Sequence, residues 1–368
     1  MVLPLKNIFQ KIVNSKIGKM ENFFLLFTLF SLLLIPNFVS AEVDDSALKS
    51  IYNRRPDLQK AFDQTGLAVP NSAAGFLIDL QDWAEQYGWR EYPELSAYVP
   101  ASEELPQLVG LVAAPEVSAN SYIVVDKNSG LILAEKNSSA VWPIASITKL
   151  MTTTLVLDSG VDLYGTCSIE SSDEVGGARL YVNPGSEFVL SDLIYATLVG
   201  SANNAANAIA RTVDSNKEDF VFKMNEKAED CGLPNTHFTD PTGINPTNVS
   251  TAREIARFAR EVFSRPEIRR YTGTANKTIS VLSTGEEKTL TNTNWLLWKP
   301  AYDDVYVMAG KTGYLEESGW NLVTALRPVY REETREIIVV VFGASARGDS
   351  MNDAKALADW TWNNYQWK

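Results

Sequence analysis

Residues 121–135 read Ser121-Tyr122-Ile123-Val124-Val125-Asp126-Lys127-Asn128-Ser129-Gly130-Leu131-Ile132-Leu133-Ala134-Glu135, and residues 143–149 read Pro143-Ile144-Ala145-Ser146-Ile147-Thr148-Lys149. Two short runs rich in β-branched and aliphatic residues, Tyr122–Val125 and Leu131–Ala134, flank a turn cluster at Asp126–Gly130, so they predict a β-hairpin. Helical spacing takes over near Ile144 and dominates to about Val262. Strand-like runs return at Trp320–Leu326 and Ile337–Phe342, and a last helix is expected over Asp353–Tyr365. Strands at both ends of a helical middle predict an α+β fold. The expected architecture is an antiparallel sheet that joins the two chain ends, flanked by helices and carrying a helical subdomain.

Upstream of the hairpin the chain changes character. Pro100, Pro106 and Pro115 mark residues 99–120 as a linker. Residues 42–98 are expected to form a small helical module. Pro56 suits a first helical turn, Leu58, Ala61 and Phe62 share a face, and Phe76, Leu80, Trp83 and Tyr87 recur at helical spacing before Gly88. That stripe reads as packing surface, and the module as a spacer. Residues 1–41 read as a targeting segment. Lys6, Lys11, Lys16 and Lys19 precede the apolar run Phe23–Ile35, and Val39-Ser40-Ala41 offers small residues for cleavage. The alternative is an uncleaved membrane anchor over Phe23–Ala41, interrupted by Pro36 and Asn37. Both place the remainder, with residues 121–368 as the principal domain, outside the cytoplasm.

Composition narrows the function. The net charge is −12 and the pI about 4.8. Phosphate recognition needs clustered Lys and Arg, so nucleic acid is excluded as a partner. Membrane contact is left to the N-terminal segment alone. There is one histidine, His237, which excludes a multi-histidine metal site and leaves any catalytic histidine to that residue. No cofactor is implied. Cys167 and Cys231 are too few for a disulfide framework, and whether they pair is left open.

Three short motifs carry chemistry. In Ser146-Ile147-Thr148-Lys149, positions i and i+3 share a helix face, so the Lys149 amine is expected beside the Ser146 hydroxyl. A serine is a weak nucleophile until a base takes its proton. A lysine serves as that base only when neutral, which requires burial or a neighbouring cation. Ser201-Ala202-Asn203 supplies a second hydroxyl for proton relay and an amide to hold a peptide carbonyl. Lys311-Thr312-Gly313 supplies a cation, a hydroxyl and a residue small enough for close backbone approach. Lys311 is expected to lower the pKa of Lys149 and to attract a substrate carboxylate.

Each motif alone is weak. About one or two SxxK matches arise by chance in a chain this long, and Ser46-Ala47-Leu48-Lys49 is one such decoy. Ser118-Ala119-Asn120 and Ser350-Met351-Asn352 likewise match SxN. Order selects: only Ser201-Ala202-Asn203 lies between an SxxK and the single KTG, and only Ser146 follows the hairpin.

With its flanking segments, the set resembles the serine D-Ala-D-Ala carboxypeptidases, the low-molecular-weight penicillin-binding proteins, over about residues 121–367. Those segments are Phe238–Ile244, Asn248–Ala252, Asn292–Leu297, Gly313-Tyr314 and Gly319–Val323. The resemblance implies a penicillin-binding, β-lactamase-like fold and cleavage of peptidoglycan stem peptides through an acyl-enzyme on Ser146. It implies Lys149 as general base, Ser201 and Asn203 as relay and peptide-orienting groups, and Lys311 and Thr312 as holders of the terminal carboxylate. The backbone amides of Ser146 and Tyr314 would form the oxyanion hole, with Gly313 between strand and substrate. β-Lactams mimic this substrate and are expected to acylate Ser146. Lys368 follows closely on the expected core, which resembles the shorter endopeptidase-like members, and the N-terminal module departs from the family pattern.

Rival readings fare worse. A class A β-lactamase needs a deacylating Glu in an ExxLN pattern, and the stretch from Glu218 to Glu254 has none. A Ser-His-Asp hydrolase would rest on His237, beside the Asp240-Pro241-Thr242-Gly243 turn and without a GxSxG elbow; a structural histidine is the better reading. A non-catalytic wall-binding or β-lactam-sensing module remains the rival from another class.

Overall fold

The computed structural model describes residues 105–110, 112–329 and 335–367. The targeting segment and the helical module expected over 42–98 lie outside the described residues, as does the decoy Ser46. Strands β1 (Gln107–Leu108), β2 (Ser121–Asp126), β3 (Ile132–Lys136) and β4 (Val141–Pro143) lead into a 3-10 turn, Ala145–Thr148, and helix α1 (Lys149–Asp158). Strands β5 (Thr166–Ile169) and β6 (Ser186–Val189) enclose a long loop. Helices α2 (Leu190–Leu198), α3 (Asn203–Arg211) and α4 (Lys217–Asp230) follow, then β7 (Val249–Thr251), α5 (Ala252–Val262) and α6 (Pro266–Thr272). A hairpin of β8 (Asn276–Ser280) and β9 (Glu287–Thr291) precedes β10 (Val305–Leu315), β11 (Gly319–Pro328) and β12 (Ile337–Ala344). Helix α7 (Arg347–Asn364) and β13 (Tyr365–Gln366) complete the described chain.

The central sheet has the order β10-β11-β12-β2-β3, antiparallel throughout. The expected α+β architecture is therefore present, and β2 beside β12 is the join between the two ends of the domain. Both partners are buried on both faces, because helices cover each side. On one side, Val124, Val339 and Val341 pack with Leu357, Ala358 and Trp362 of α7. On the other, Ile123, Val340 and Phe342 join the larger core of α1, α2, α3, α5 and α6. The hairpin falls where the sequence places it, closed by Asp126, which accepts hydrogen bonds from the amide and hydroxyl of Ser129.

Two expectations shift. Helix α7 begins at Arg347, six residues before the expected Asp353. Its early turns include Ser350 and Asp353, buried polar groups that blur the apolar signal. The segment expected as a linker is mostly irregular over its described part, but it is docked. Asp353 accepts from the Ser118 hydroxyl and the amides of Ser118 and Ala119, and β1 pairs with β13. Cys167 and Cys231 are free thiols.

Candidate active site

Ser146 lies in the 3-10 turn that opens α1, not in the α-helix itself. In a 3-10 turn, side chains three apart eclipse one another. Lys149, first residue of α1, is thereby stacked on Ser146, and its Nζ donates to Ser146 Oγ at 2.8 Å. Ala145, just before the serine, holds φ 50°, a left-handed conformation that L-residues with a Cβ seldom adopt. Such strain persists only where surroundings enforce it. They do so here: a Cβ at Gly243 would fall 1.9 Å from the Ala145 carbonyl oxygen, and one at Gly313 would fall 2.7 Å from that of Ile144. The serine turn is clamped between the Asp240–Gly243 turn and strand β10. Asn321 adds a further clasp, donating to the Pro143 carbonyl and accepting from the Gly343 amide.

The Lys149 side chain is fully buried, whereas Ser146 keeps some solvent exposure. Its Nζ has three neighbours: Ser146 Oγ, Asn203 Oδ1 at 2.7 Å and the Thr242 carbonyl at 2.6 Å. Burial pushes the Lys149 amine down to about 7, against the pull of Asp240. Asp240 is itself held charged. Its carboxylate accepts from the amides of Thr242, Gly243 and Asn245 and from the side chains of Thr242 and Asn248, which outweighs its burial and lowers its pKa.

Ser201 and Asn203 sit at the junction of α2 and α3. Ser201 holds φ 57°, a second left-handed residue at the site. Its Oγ accepts from Lys311 Nζ at 2.9 Å. Asn203 is pinned at both ends, because its Nδ2 donates to the Gly176 carbonyl at 2.7 Å. One of its two amide protons is thus engaged, and only the other remains for a substrate carbonyl. Strand β10 brings Lys311, Thr312, Gly313 and Tyr314 to the same place. The Lys311 amine is buried and donates also to the Thr312 carbonyl. Burial, then Lys149, then Arg347 push its pKa well below the lysine range. Two buried amines at one site disfavour each other's charge, so one of the two is favoured to be neutral. Thr312 Oγ1 shares a 2.6 Å hydrogen bond with Thr293 Oγ1. Gly313 packs on the serine turn; a Cβ there would be 3.2 Å from the Ser146 amide nitrogen. Tyr314 is exposed and stacks on Trp320.

All eight residues singled out by the motifs therefore converge. The other SxN matches do not: Ser118 binds Asp353, and Ser350 sits in α7. His237 is exposed on the surface, and its backbone forms a bridge with Val249. Glu254 caps a turn, accepting from Asn235 and Thr236. Asn204 and Asn207, the other two asparagines of α3, bind the β5–β6 loop. Asn204 is fully buried, bonding both backbone groups of Leu180 and the Glu174 carboxylate. Asn207 donates to the Asp173 carbonyl, and Arg211 grips Asp173 and Glu170. These side chains fasten residues 170–180 of the β5–β6 loop to the helix that carries Asn203. Sequence reasoning also passes over the Thr242 carbonyl, Asp240, Thr293 and Arg347.

Comparison with known proteins shows the family. The family model of D-alanyl-D-alanine carboxypeptidases (peptidase S11) matches residues 109–346. A D-alanyl-D-alanine endopeptidase of Pseudomonas aeruginosa is 33% identical over 251 residues, covering 68% of this chain and 80% of that protein. A D-alanyl-D-alanine carboxypeptidase of Bacillus subtilis is 30% identical over 262 residues, 67% of this chain and 63% of that one. Among solved structures, the Streptomyces K15 DD-transpeptidase superposes with a TM-score of 0.62 at 25% identity, over 68% of this chain and all of that one (100%). Penicillin binding protein 5 from Haemophilus influenzae superposes with a TM-score of 0.62 at 26% identity, over 68% of this chain and 73% of its own. With its serine, two buried lysines and matching fold, the chain belongs to the D-alanyl-D-alanine carboxypeptidase family of serine peptidases.

Proposed function

We propose that this D-alanyl-D-alanine peptidase acts on peptidoglycan stem peptides through an acyl-enzyme on Ser146, and that β-lactams acylate the same hydroxyl. The carrying observation is that none of the three hydrogen-bond partners of Lys149 Nζ is a carboxylate. Two of its three neighbours, Asn203 Oδ1 and the Thr242 carbonyl, only accept hydrogen bonds. A neutral amine donates one N–H to each and turns its lone pair to the third neighbour, the Ser146 O–H. That is the geometry of a general base on a nucleophile.

The reaction then proceeds in two halves. Ser146 Oγ bonds to the carbonyl carbon between two D-alanine-type residues as its proton passes to Lys149. The oxyanion meets the amides of Ser146 and Tyr314; Gly313 packing brings their strand and turn together. Each such donor is commonly worth about 3–4 kcal/mol of barrier. The C–N bond breaks, and the leaving amine takes a proton delivered from Lys149, with Ser201 as relay. Water next attacks the Ser146 ester, gives up a proton to the same base, and frees the acid and the serine. Lys311, charged, and Thr312 hold the carboxylate of the leaving residue, and Arg347, which is electrostatically coupled to Lys311, adds to that positive field. The work is done outside the cytoplasm, where wall peptides are, with membrane contact only through residues 1–41.

The test is covalent labelling of the purified protein by a fluorescent penicillin, beside Ser146→Ala, with release of D-alanine from a D-Ala-D-Ala peptide measured in parallel. Labelling and hydrolysis that both vanish in the variant are expected. An unlabelled but folded wild type would overturn the assignment and favour a wall-binding module.

A further inference from the structure

The Thr242–Gly243 peptide unit is bound at both ends. Its carbonyl accepts from Lys149 Nζ at 2.6 Å, and its N–H, that of Gly243, donates to Asp240 Oδ1 at 2.8 Å. The mechanism above uses only the carbonyl end. Asp240 is buried, and its hydrogen bonds come from the turn that it closes. The Thr242 amide and hydroxyl reach Oδ1 at 2.7 and 2.6 Å, and the Asn245 amide and Asn248 side chain reach Oδ2 at 3.0 and 2.6 Å. None of these partners is a cation, so the negative charge is held by dipoles and not cancelled. Helix α1 grips the same turn a second time, one turn on from Lys149, where Thr152 Oγ1 donates to the Pro241 carbonyl at 2.6 Å. A buried carboxylate thus stands one peptide unit away from the amine that touches Ser146. Hydrogen bonds in a chain polarise one another, so an anion on the N–H end of this peptide makes its carbonyl a stronger acceptor for Lys149.

Resting on the acyl-enzyme reading above, we infer that Asp240 is a positioning residue that acts through the Thr242–Gly243 peptide to stabilise the Lys149 ammonium formed during acylation, and so sets the strength of the base. As Ser146 Oγ bonds to the acyl carbon, its proton moves onto the Lys149 lone pair. Lys149 passes that proton on to the leaving nitrogen when the C–N bond breaks. Between the two events the Thr242 carbonyl faces a full positive charge, and the Asp240 anion behind it lowers the cost of that charge. The role is that of the carboxylate in a Ser-His-Asp triad, with a peptide unit in place of direct contact. The other charges around Lys149 do not supply it. Lys311 of β10 opposes the ammonium, and Arg347 of α7 acts on Lys311. Asp158, the other charged residue of α1, lies at the far end of the helix and pairs with Lys227 and Arg265. Arg211, at the far end of α3, is bound to Asp173 and Glu170. Burial lowers the Lys149 pKa to about 7, and Asp240 is the charge that pulls the other way.

The test uses the full chain and stopped-flow acylation by a fluorescent penicillin from about pH 5 to 9. Three proteins are compared: the wild type, Asp240→Asn, and the swap Asp240→Asn with Asn248→Asp, which returns a carboxylate to the adjoining side chain of the same network. Loss of the anion favours the neutral amine, so Asp240→Asn should move the acylation inflection down by about one pH unit. Its plateau rate should also fall, because a less basic amine is the weaker proton acceptor. The swap should bring the inflection back towards that of the wild type. An inflection unmoved in Asp240→Asn, whatever its rate, or one moved equally far in the swap, would overturn the inference, since a residue that only shapes the turn changes the rate and not the titration. Where Asp240→Asn does not fold, Asp240→Ser gives the same neutral reading. Failure of the underlying reading shows itself separately, as a wild type that penicillin does not label.

Discussion

Lys149 Nζ stands 2.8 Å from Ser146 Oγ in a pocket whose other two contacts are hydrogen-bond acceptors, so the neutral form of the amine, donating to both, turns its one lone pair to that hydroxyl. The pH dependence of acylation follows. Burial lowers the Lys149 pKa to about 7, and the neutral form is the competent base. The acylation rate should rise with pH through an inflection near 7. In the proposed mechanism Lys311 holds the carboxylate in its protonated form, and burial, Lys149 and Arg347 push its pKa well down too. The peptide reaction should therefore fall again below the ordinary lysine range, making a narrow bell. Stopped-flow penicillin acylation and peptide hydrolysis across pH 5–10 would measure it; a flat profile through neutrality would exclude Lys149 as base.

Gly243 is the second test. It holds φ +78°, and a Cβ would lie 1.9 Å from the Ala145 carbonyl oxygen, which is backbone and cannot swing aside. Gly243→Ala should cost about 1 kcal/mol for the left-handed φ and about 1–3 kcal/mol for the overlap. It should also displace the serine turn. Calorimetry should show Tm lower by several degrees, and labelling should slow by more than tenfold. Wild-type labelling would mean that the turn does not set Ser146.

Legibility in the sequence followed the kind of group involved. Ser146, Lys149, Ser201, Asn203, Lys311 and Thr312 belong to three short motifs in fixed order, so motif order singled them out. The Thr242 carbonyl is a backbone group with no residue-type signature, and its part in holding Lys149 emerged only from the fold. Asn204 and Asn207 lie outside the motifs, and the loop they bind is more than twenty residues away in sequence, so spacing gives no sign of their part. Strand β10 escaped the strand pattern because Gly310 and Lys311 interrupt its apolar run, although Lys311 is buried. Strands β2 and β12 were legible because each carries a β-branched run buried on both faces.

Asn204→Ala should reveal the loop clamp. It removes an acceptor for the Leu180 amide and donors to the Leu180 carbonyl and Glu174. Each lost buried bond costs roughly 0.5–1.5 kcal/mol. The loop holds Gly176, whose carbonyl fixes the Asn203 amide. The expected result is slower acylation and slower release of the penicilloyl group, with faster hydrogen exchange confined to residues 170–185. Unchanged exchange there would show that Asn204 does not tether the loop.

Glu336 tests the scaffold apart from the chemistry. Its buried carboxylate meets Arg269 of α6 at 2.9 Å and Arg327 of β11 at 2.9 Å, which ties the helical side of the domain to the sheet. The two guanidiniums outweigh the burial and lower its pKa below the usual glutamate value. A depressed carboxylate contributes stability that is fully present above the unfolded pKa and is lost as pH falls through the folded one. Glu336→Gln leaves two arginines facing a neutral amide and should destabilise by about 3 kcal/mol, the usual scale for breaking a buried pair. The loss should be measurable by urea unfolding at pH 7 and shrink as pH falls through the lowered Glu336 pKa, where the wild-type carboxylate also gains its proton. Penicillin labelling of the folded variant should keep its wild-type rate, because neither arginine touches the Ser146, Lys149 or Lys311 side chains.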